Sequence, residues 1–219
     1  MTSATVNYAK SAPSTSPADR RALRNLHRRQ VRRRALTAAT AIFVTRGYHA
    51  ATMEEIAQRA GYSKPVLYSQ FSGKLELYLA VLQDHIDTLV DSVQQALRAT
   101  GNRDRVSAAV YAYFDFVDDE TQGYRLVFDG DGSAEPSVQW RVTQAVDICV
   151  DAIADVIAHD TELDSHRARL FAACLVGASQ FAARYWLTRG RIQPKADAAA
   201  AVVALCWGGL AHIPLHTTD

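Results

Sequence analysis

An all-α fold of about nine helices is predicted by three observations. Apolar residues recur every three or four positions along most of the chain. Capping residues, glycines and prolines fall where that periodicity starts and stops. No segment alternates apolar and polar residues over the length of a strand. The 219 residues, 48% of them hydrophobic, can bury a sizeable core. With no secretory start and no apolar run of about 18 residues, the chain is expected in the cytoplasm, away from membranes. Three cysteines, Cys149, Cys174 and Cys206, are widely spaced in apolar helical patterns. They read as core residues rather than as a disulfide framework or zinc ligands, and no metal or cofactor is called for.

Taken in order, residues 1–19 are mostly Ser, Thr, Ala and Pro, too poor in large apolar groups to offset the entropy of ordering, and are expected to be a disordered tail. From Arg20 the composition changes to RRALRNLHRRQVRRR, with eight arginines. This run continues into a helical stripe of Ala35, Leu36, Ala39, Ile42 and Phe43 that stops at Gly47. A long helix from Gly73 to about Leu97 follows from Leu75, Leu79, Leu82, Ile86, Leu89 and Val93. Val106, Val110, Tyr113, Phe114 and Val117 predict another, ended by the acidic residues 118–120, and a short helix lies near residues 124–128. Gly130 and Gly132 break the chain, Ser133 can cap, and Pro136 suits the first turn of a helix running to about Ile157. The last two helices span about 164–188, closed by Gly190, and about 194–211, halted by Pro214. The domains expected are a tail (1–19), a unit with a basic arm (20–72) and a helical bundle (73–219).

The overall charge of +1 conceals a segregation: residues 20–74 carry a net +10 and the remainder −9. One end should attract a polyanion and the rest should repel it. Arg32 and Arg33, at the end of the arginine run, are candidate phosphate contacts.

Within that basic end, the segment TMEEIAQRAGYSKPVLYSQF (52–71) has the spacing of a helix-turn-helix. Thr52 and Glu55 form a capping box, and Met53, Ile56, Ala57 and Ala60 give one apolar face. Gly61 sits where a tight turn between crossed helices needs a positive φ. Ser63 can cap the second helix, Pro65 is tolerated in its first turn, and Leu67 is its core anchor. Lys64, Tyr68 and Ser69 are then the exposed, groove-compatible groups. Ser72-Gly73-Lys74 opens the next helix with backbone N–H groups and a lysine available to a phosphate.

Residues 47–82, GYHAATMEEIAQRAGYSKPVLYSQFSGKLELYLAVL, resemble the N-terminal signature of TetR-type regulators. The likeness extends through YFDFV…QGYRLVF, HRARLFAACLVG, ARYWL and WGGLAHIPL, covering about residues 20–215, and is similar to FasR-type regulators of fatty acid synthesis in actinobacteria. The resemblance implies a homodimer on a palindromic double-stranded operator. Thr52 and Lys74 would contact phosphate, and Ser63, Lys64, Pro65, Tyr68 and Ser69 would lie at the start and exposed face of the recognition helix. It also implies that long-chain acyl-CoA modulates operator affinity and controls fatty acid synthesis genes.

An acyl sensor needs an apolar tunnel between bundle helices with a mouth open to water. The apolar surplus on the central helices supplies candidate lining residues: Leu89, Val93, Leu97, Val106, Val110, Phe114, Leu126, Phe128, Ile148, Leu175 and Phe181. Arg103, Arg105 and Arg125 are candidate partners for the phosphates of CoA. Small and large apolar residues on the last two helices (Ala172, Ala173, Gly177, Ala178, Phe181, Ala182 and Trp186, then Ala199–Ala201, Val203, Trp207, Gly208 and Gly209) suit helix packing across a twofold axis. The competing readings are a regulator of the same type answering to another hydrophobic ligand such as a drug, in efflux control, and an α-helical enzyme. No HExxH, GxSxG, P-loop or GxGxxG pattern couples a nucleophile to a base, so the chain is not expected to be an enzyme. A purely architectural DNA binder is disfavoured by the acidic bundle.

Overall fold

The computed structural model describes residues 16–128 and 135–210. Nine helices occupy them: α1 (Pro17–Ala50), α2 (Met53–Ala60), α3 (Lys64–Tyr68), α4 (Lys74–Ala96), α5 (Asn102–Asp118), α6 (Tyr124–Phe128), α7 (Pro136–Asp160), α8 (Ser165–Thr188) and α9 (Lys195–Leu210). Most of the expected tail, the break at Gly130, Gly132 and Ser133, and the stop at Pro214 lie outside the described residues.

The first helix begins at Pro17, not Arg20. Ser16 is its N-cap: its hydroxyl accepts from the Asp19 N–H, and the Asp19 carboxylate accepts from the Ser16 N–H, both at 3.1 Å. With Pro17 at the first helical position, these residues form a complete helix start inside the segment expected to be tail. Helical geometry is interrupted at Gly47, where φ is 75° and ψ 170°, as the glycine stop requires.

Helices α1 and α2 pack together, and α1 also packs on α4. An aromatic cluster joins them, with the Tyr78 ring 4.9 Å from both Phe43 and Tyr48. Leu77, Tyr78, Val81 and Leu82 in the first half of α4 are buried with this group, and Ile86, Leu89 and Val93 in its second half are buried in the bundle, so one continuous core spans both ends. The bundle is built by α4 and α5, α4 and α7, α7 and α8, and α5 against α8 and α9. The turn before α6 seats Gly123 against the His85 ring of α4, with no room for a Cβ. Burial lowers the His85 pKa against the pull of Asp84 and Asp119, which favours the neutral imidazole at this joint. Among the described residues, no helix is long and apolar enough to cross a membrane.

Two sequence readings need correction here. Of the three cysteines read as core, Cys149 is buried and Cys206 half-buried, but Cys174 is exposed. Of the residues assigned to a twofold face, Ala172, Trp186, Ala199 and Val203 are buried within the chain. A helix serving both its own bundle and an outer face divides its apolar residues by phase, which composition does not resolve.

Candidate DNA interface and effector cavity

The helix-turn-helix is set by three local devices. Thr52 caps α2: its Oγ accepts from the Glu55 N–H at 3.2 Å, and the Glu55 carboxylate accepts from the Thr52 N–H at 3.2 Å and hydroxyl at 3.0 Å. The Glu55 carboxylate also meets the Arg46 guanidinium at 2.6 Å. Gly61 ends α2 at φ 74°, ψ 29°, a left-handed conformation that turns the chain into α3. Leu67, fully buried, is the one core anchor of α3.

This arrangement leaves Ser63, Lys64, Pro65, Tyr68 and Ser69 exposed on one short element. Ser63 occupies the N-cap position, but its hydroxyl makes no capping bond, so the expected cap is absent and the group is available. Tyr68 is 44% exposed. Ser69 Oγ donates to the Val66 carbonyl at 2.7 Å, a local bond that a groove contact would have to share. Thr52 is exposed, and its single hydroxyl proton points at Glu55, so a phosphate would compete with that carboxylate.

Three further candidates have partners the sequence does not reveal. Lys74 Nζ donates to the His49 and Ala51 carbonyls at 3.1 Å each and lies 4.8 Å from the Tyr48 ring centre. The ammonium therefore ties the start of α4 to the α1–α2 junction and retains one N–H for an anion. The Ser72 N–H and hydroxyl are both taken by the Glu76 carboxylate, at 2.6 and 2.7 Å, so that backbone donor is not open. Arg32 stacks over Phe71 at 4.6 Å, just beyond α3, and both Arg32 and Arg33 line a cleft toward Gln122 and Arg125.

In the bundle, a cavity of about 200 Å³ lies among α5, α7, α8 and α9. Its walls are apolar, from Val106, Val110, Ile153, Leu175, Val176 and Trp207, with Leu97 at the end of α4. One end is polar, because the first turn of α5 meets the last turn of α7. There Arg105 binds Asp160 at 2.6 Å, Asn102 at 3.0 Å and the Ala99 carbonyl at 2.7 Å. Thr161 completes this rim, donating to the Ile157 carbonyl at 2.7 Å. Deeper in, burial raises the Tyr113 phenol well above its ordinary pKa, and the neighbouring Cys149 adds to the effect. Burial also raises the Cys149 thiol beside it, so both groups favour their neutral forms.

Of the eleven candidate lining residues, Leu97, Val106, Val110 and Leu175 line this cavity. The other seven lie elsewhere. Leu89, Val93, Phe114 and Leu126 are packed in the core, and Phe128 stacks edge-on against Phe116 at 5.9 Å. Ile148 and Phe181 face outward, 45% and 71% exposed. Arg105 is at the mouth, but Arg103 lies in a groove toward α9 and Arg125 in the cleft facing α1. Sequence reasoning missed Asn102, Asp160, Thr161 and Ser179. The rim pairs residues 55 apart in sequence, a juxtaposition that no local spacing announces.

Comparison with known proteins gives a consistent result. The family model for bacterial regulatory proteins of the tetR family matches residues 35–81, and that for the tetracyclin repressor-like C-terminal domain matches residues 102–209. The chain is 53% identical over 191 residues to the HTH-type transcriptional activator FasR of Mycolicibacterium smegmatis, covering 87% of each chain. A TetR-like transcriptional regulator from Rhodococcus sp. RHA1 superposes with a TM-score of 0.68 at 26% identity, over 83% of this chain and 96% of that one. The transcriptional regulator FadR from Bacillus subtilis, solved in complex with stearoyl-CoA, has the same fold, with a TM-score of 0.68 at 12% identity over 80% and 97% of the two chains.

Proposed function

The chain belongs to the tetR family of bacterial regulatory proteins, which are DNA-binding transcriptional regulators, and on that premise we propose that it controls fatty acid synthesis genes in response to long-chain acyl-CoA. The DNA-binding unit is residues 20–72 and the effector and dimerisation bundle residues 73–219. Tyr68, Lys64, Ser63, Pro65 and Ser69 meet the groove, and Thr52, Lys74, Arg32 and Arg33 position the unit on phosphates.

The observation that carries the effector reading is the cavity: apolar walls to accept a chain and, at one end, a rim of Asn102, Arg105, Asp160 and Thr161 for a polar head. Arg105 is already paired with Asp160, so a CoA phosphate would bind by competing for a partnered guanidinium. The 53% identity to a protein named FasR agrees with the FasR-type resemblance of the sequence, which implies this ligand class. The effector does no chemistry: its binding energy shifts the tilt of α4, which is buried in both halves of the core.

A homodimer is supported by the outer face of α8 and α9. Leu170, Cys174, Phe181 and Tyr185 on α8 and Leu205 on α9 are exposed together with Gly177, Gly208 and Gly209. Two such faces paired by a twofold axis would set two recognition elements about one helical turn of DNA apart, or a multiple of it, on a palindromic operator.

A second reading, a regulator answering to a more compact hydrophobic molecule, draws support from the modest 200 Å³ of the cavity. Thermal unfolding with saturated acyl-CoAs from octanoyl to stearoyl separates the two. We expect stabilisation that grows with chain length and reaches about 2.7 kcal/mol at 100 times Kd for the best ligand. A Val110→Trp variant, with the cavity filled, should lose the effect. Equal, negligible shifts across the series would rule out the acyl-CoA reading.

A further inference from the structure

We infer that the projecting start of α1 is a second DNA-contacting element, an arginine arm that follows the duplex beyond the half-site met by α3. The inference rests on the reading that α3 meets DNA.

Residues 18–30 are exposed without exception, and Val31, 2% exposed, is the first anchored residue of α1. The arm has a complete helix start in the Ser16–Asp19 capping box, yet nothing among the described residues packs along it. A solitary helix of this length is marginal in water. Like charges four residues apart, Arg20 with Arg24, Arg24 with Arg28 and Arg28 with Arg32, oppose it further. No acidic residue occurs between residues 20 and 53 to relieve them. A polyanion along the arm converts that repulsion into attraction.

The direction of the charges selects duplex DNA. At about 100° per residue, Arg21, Arg24, Arg28 and Arg32 fall within an arc of about 80°. Ala35, Ala39 and Phe43, buried against the helix-turn-helix, continue the same side of the helix. That side therefore switches from apolar to arginine where α1 leaves the body. Arg32, stacked on Phe71 at 4.6 Å, fixes its phase beside the recognition element. From Arg21 to Arg32 the helix rises about 16 Å, roughly five base-pair steps of 3.4 Å. The opposite side carries the exposed Leu23 and Leu26, which offer nothing to phosphate.

The test uses a duplex selected by the full chain from a random-sequence library, in two forms: trimmed to the half-sites, and longer by about six base pairs on each side. The variant carries Arg20→Ala, Arg21→Ala, Arg24→Ala and Arg28→Ala, changes that preserve helix propensity. On the longer duplex the variant should bind more weakly, with a salt slope reduced by about 3 to 4 per protomer; on the trimmed duplex it should match the parent. Circular dichroism should show the same unfolding midpoint for both. Equal affinity and slope on the longer duplex would overturn the arm while leaving the α3 reading intact, and failure of the α3 reading would appear separately, as Tyr68→Ala binding the trimmed duplex like the parent. Weakening by Leu23→Ala with Leu26→Ala, without weakening by the arginine changes, would also overturn the proposal.

Discussion

Leu67→Ala is expected to abolish operator binding and to lower the unfolding free energy by about 2 to 5 kcal/mol, while the bundle still binds its effector. The proposed recognition helix α3 is five residues long, far below the length at which a helix persists on its own propensity. Its geometry is imposed from both ends, by the left-handed Gly61 and by Phe71, and from below by Leu67 alone. Truncating Leu67 removes the only side chain by which α3 grips the core, so Tyr68 and Lys64 lose their common bearing on the groove. Chemical denaturation and fluorescence anisotropy with a selected duplex measure the two effects. The proposed effector cavity lies among α5, α7, α8 and α9, so ligand-induced stabilisation should survive. A variant that retains operator affinity would show that α3 is not the reading element.

Phe181→Glu should have an effect of comparable size by a different route. Phe181 is 71% exposed on the chain taken singly and stacks against Tyr185 at 6.4 Å, so it presents a broad aromatic surface with no partner element among the described residues. In a twofold interface each substitution occurs twice, and a carboxylate buried there without a counter-charge costs several kcal/mol. A loss of about 2.8 kcal/mol already raises the dimer Kd a hundredfold. Two recognition elements that are no longer tethered forfeit an avidity of about 10² to 10⁴ on a paired operator. Sedimentation should show a monomer, with operator affinity reduced over that range. A variant that remains dimeric would move the interface away from the outer face of α8.

Legibility from sequence divides by the range of the signal. The Thr52–Glu55 capping box, the positive φ at Gly61 and the break in helical geometry at Gly47 are each determined within a few residues, although the chain resumes helix after Gly47, as far as Ala50, instead of stopping there. The Ser16-Pro17-Ala18-Asp19 start was equally local, but it lies in a segment whose composition suggested disorder; the capping geometry, not the composition, decides it. The cavity is a different matter. Val110 and Phe114 are one turn apart on α5, yet Val110 lines the cavity and Phe114 packs against Trp186 at 5.7 Å. Apolar surplus marks both alike, and only the phase of α5 against α8 and α9 separates them. Lys74 shows the same limit: its charge and position are plain in the sequence, but its bonds to the His49 and Ala51 carbonyls come from the tertiary turn between α1 and α2.

The central claim couples the two ends of the molecule through α4, and operator affinity with and without saturating palmitoyl-CoA tests it most directly. A coupling of about 1 to 3 kcal/mol predicts a saturable change of roughly 5- to 150-fold in operator Kd, absent from the Val110→Trp variant. Operator affinity that stays unchanged while thermal unfolding shows the ligand bound would contradict the account.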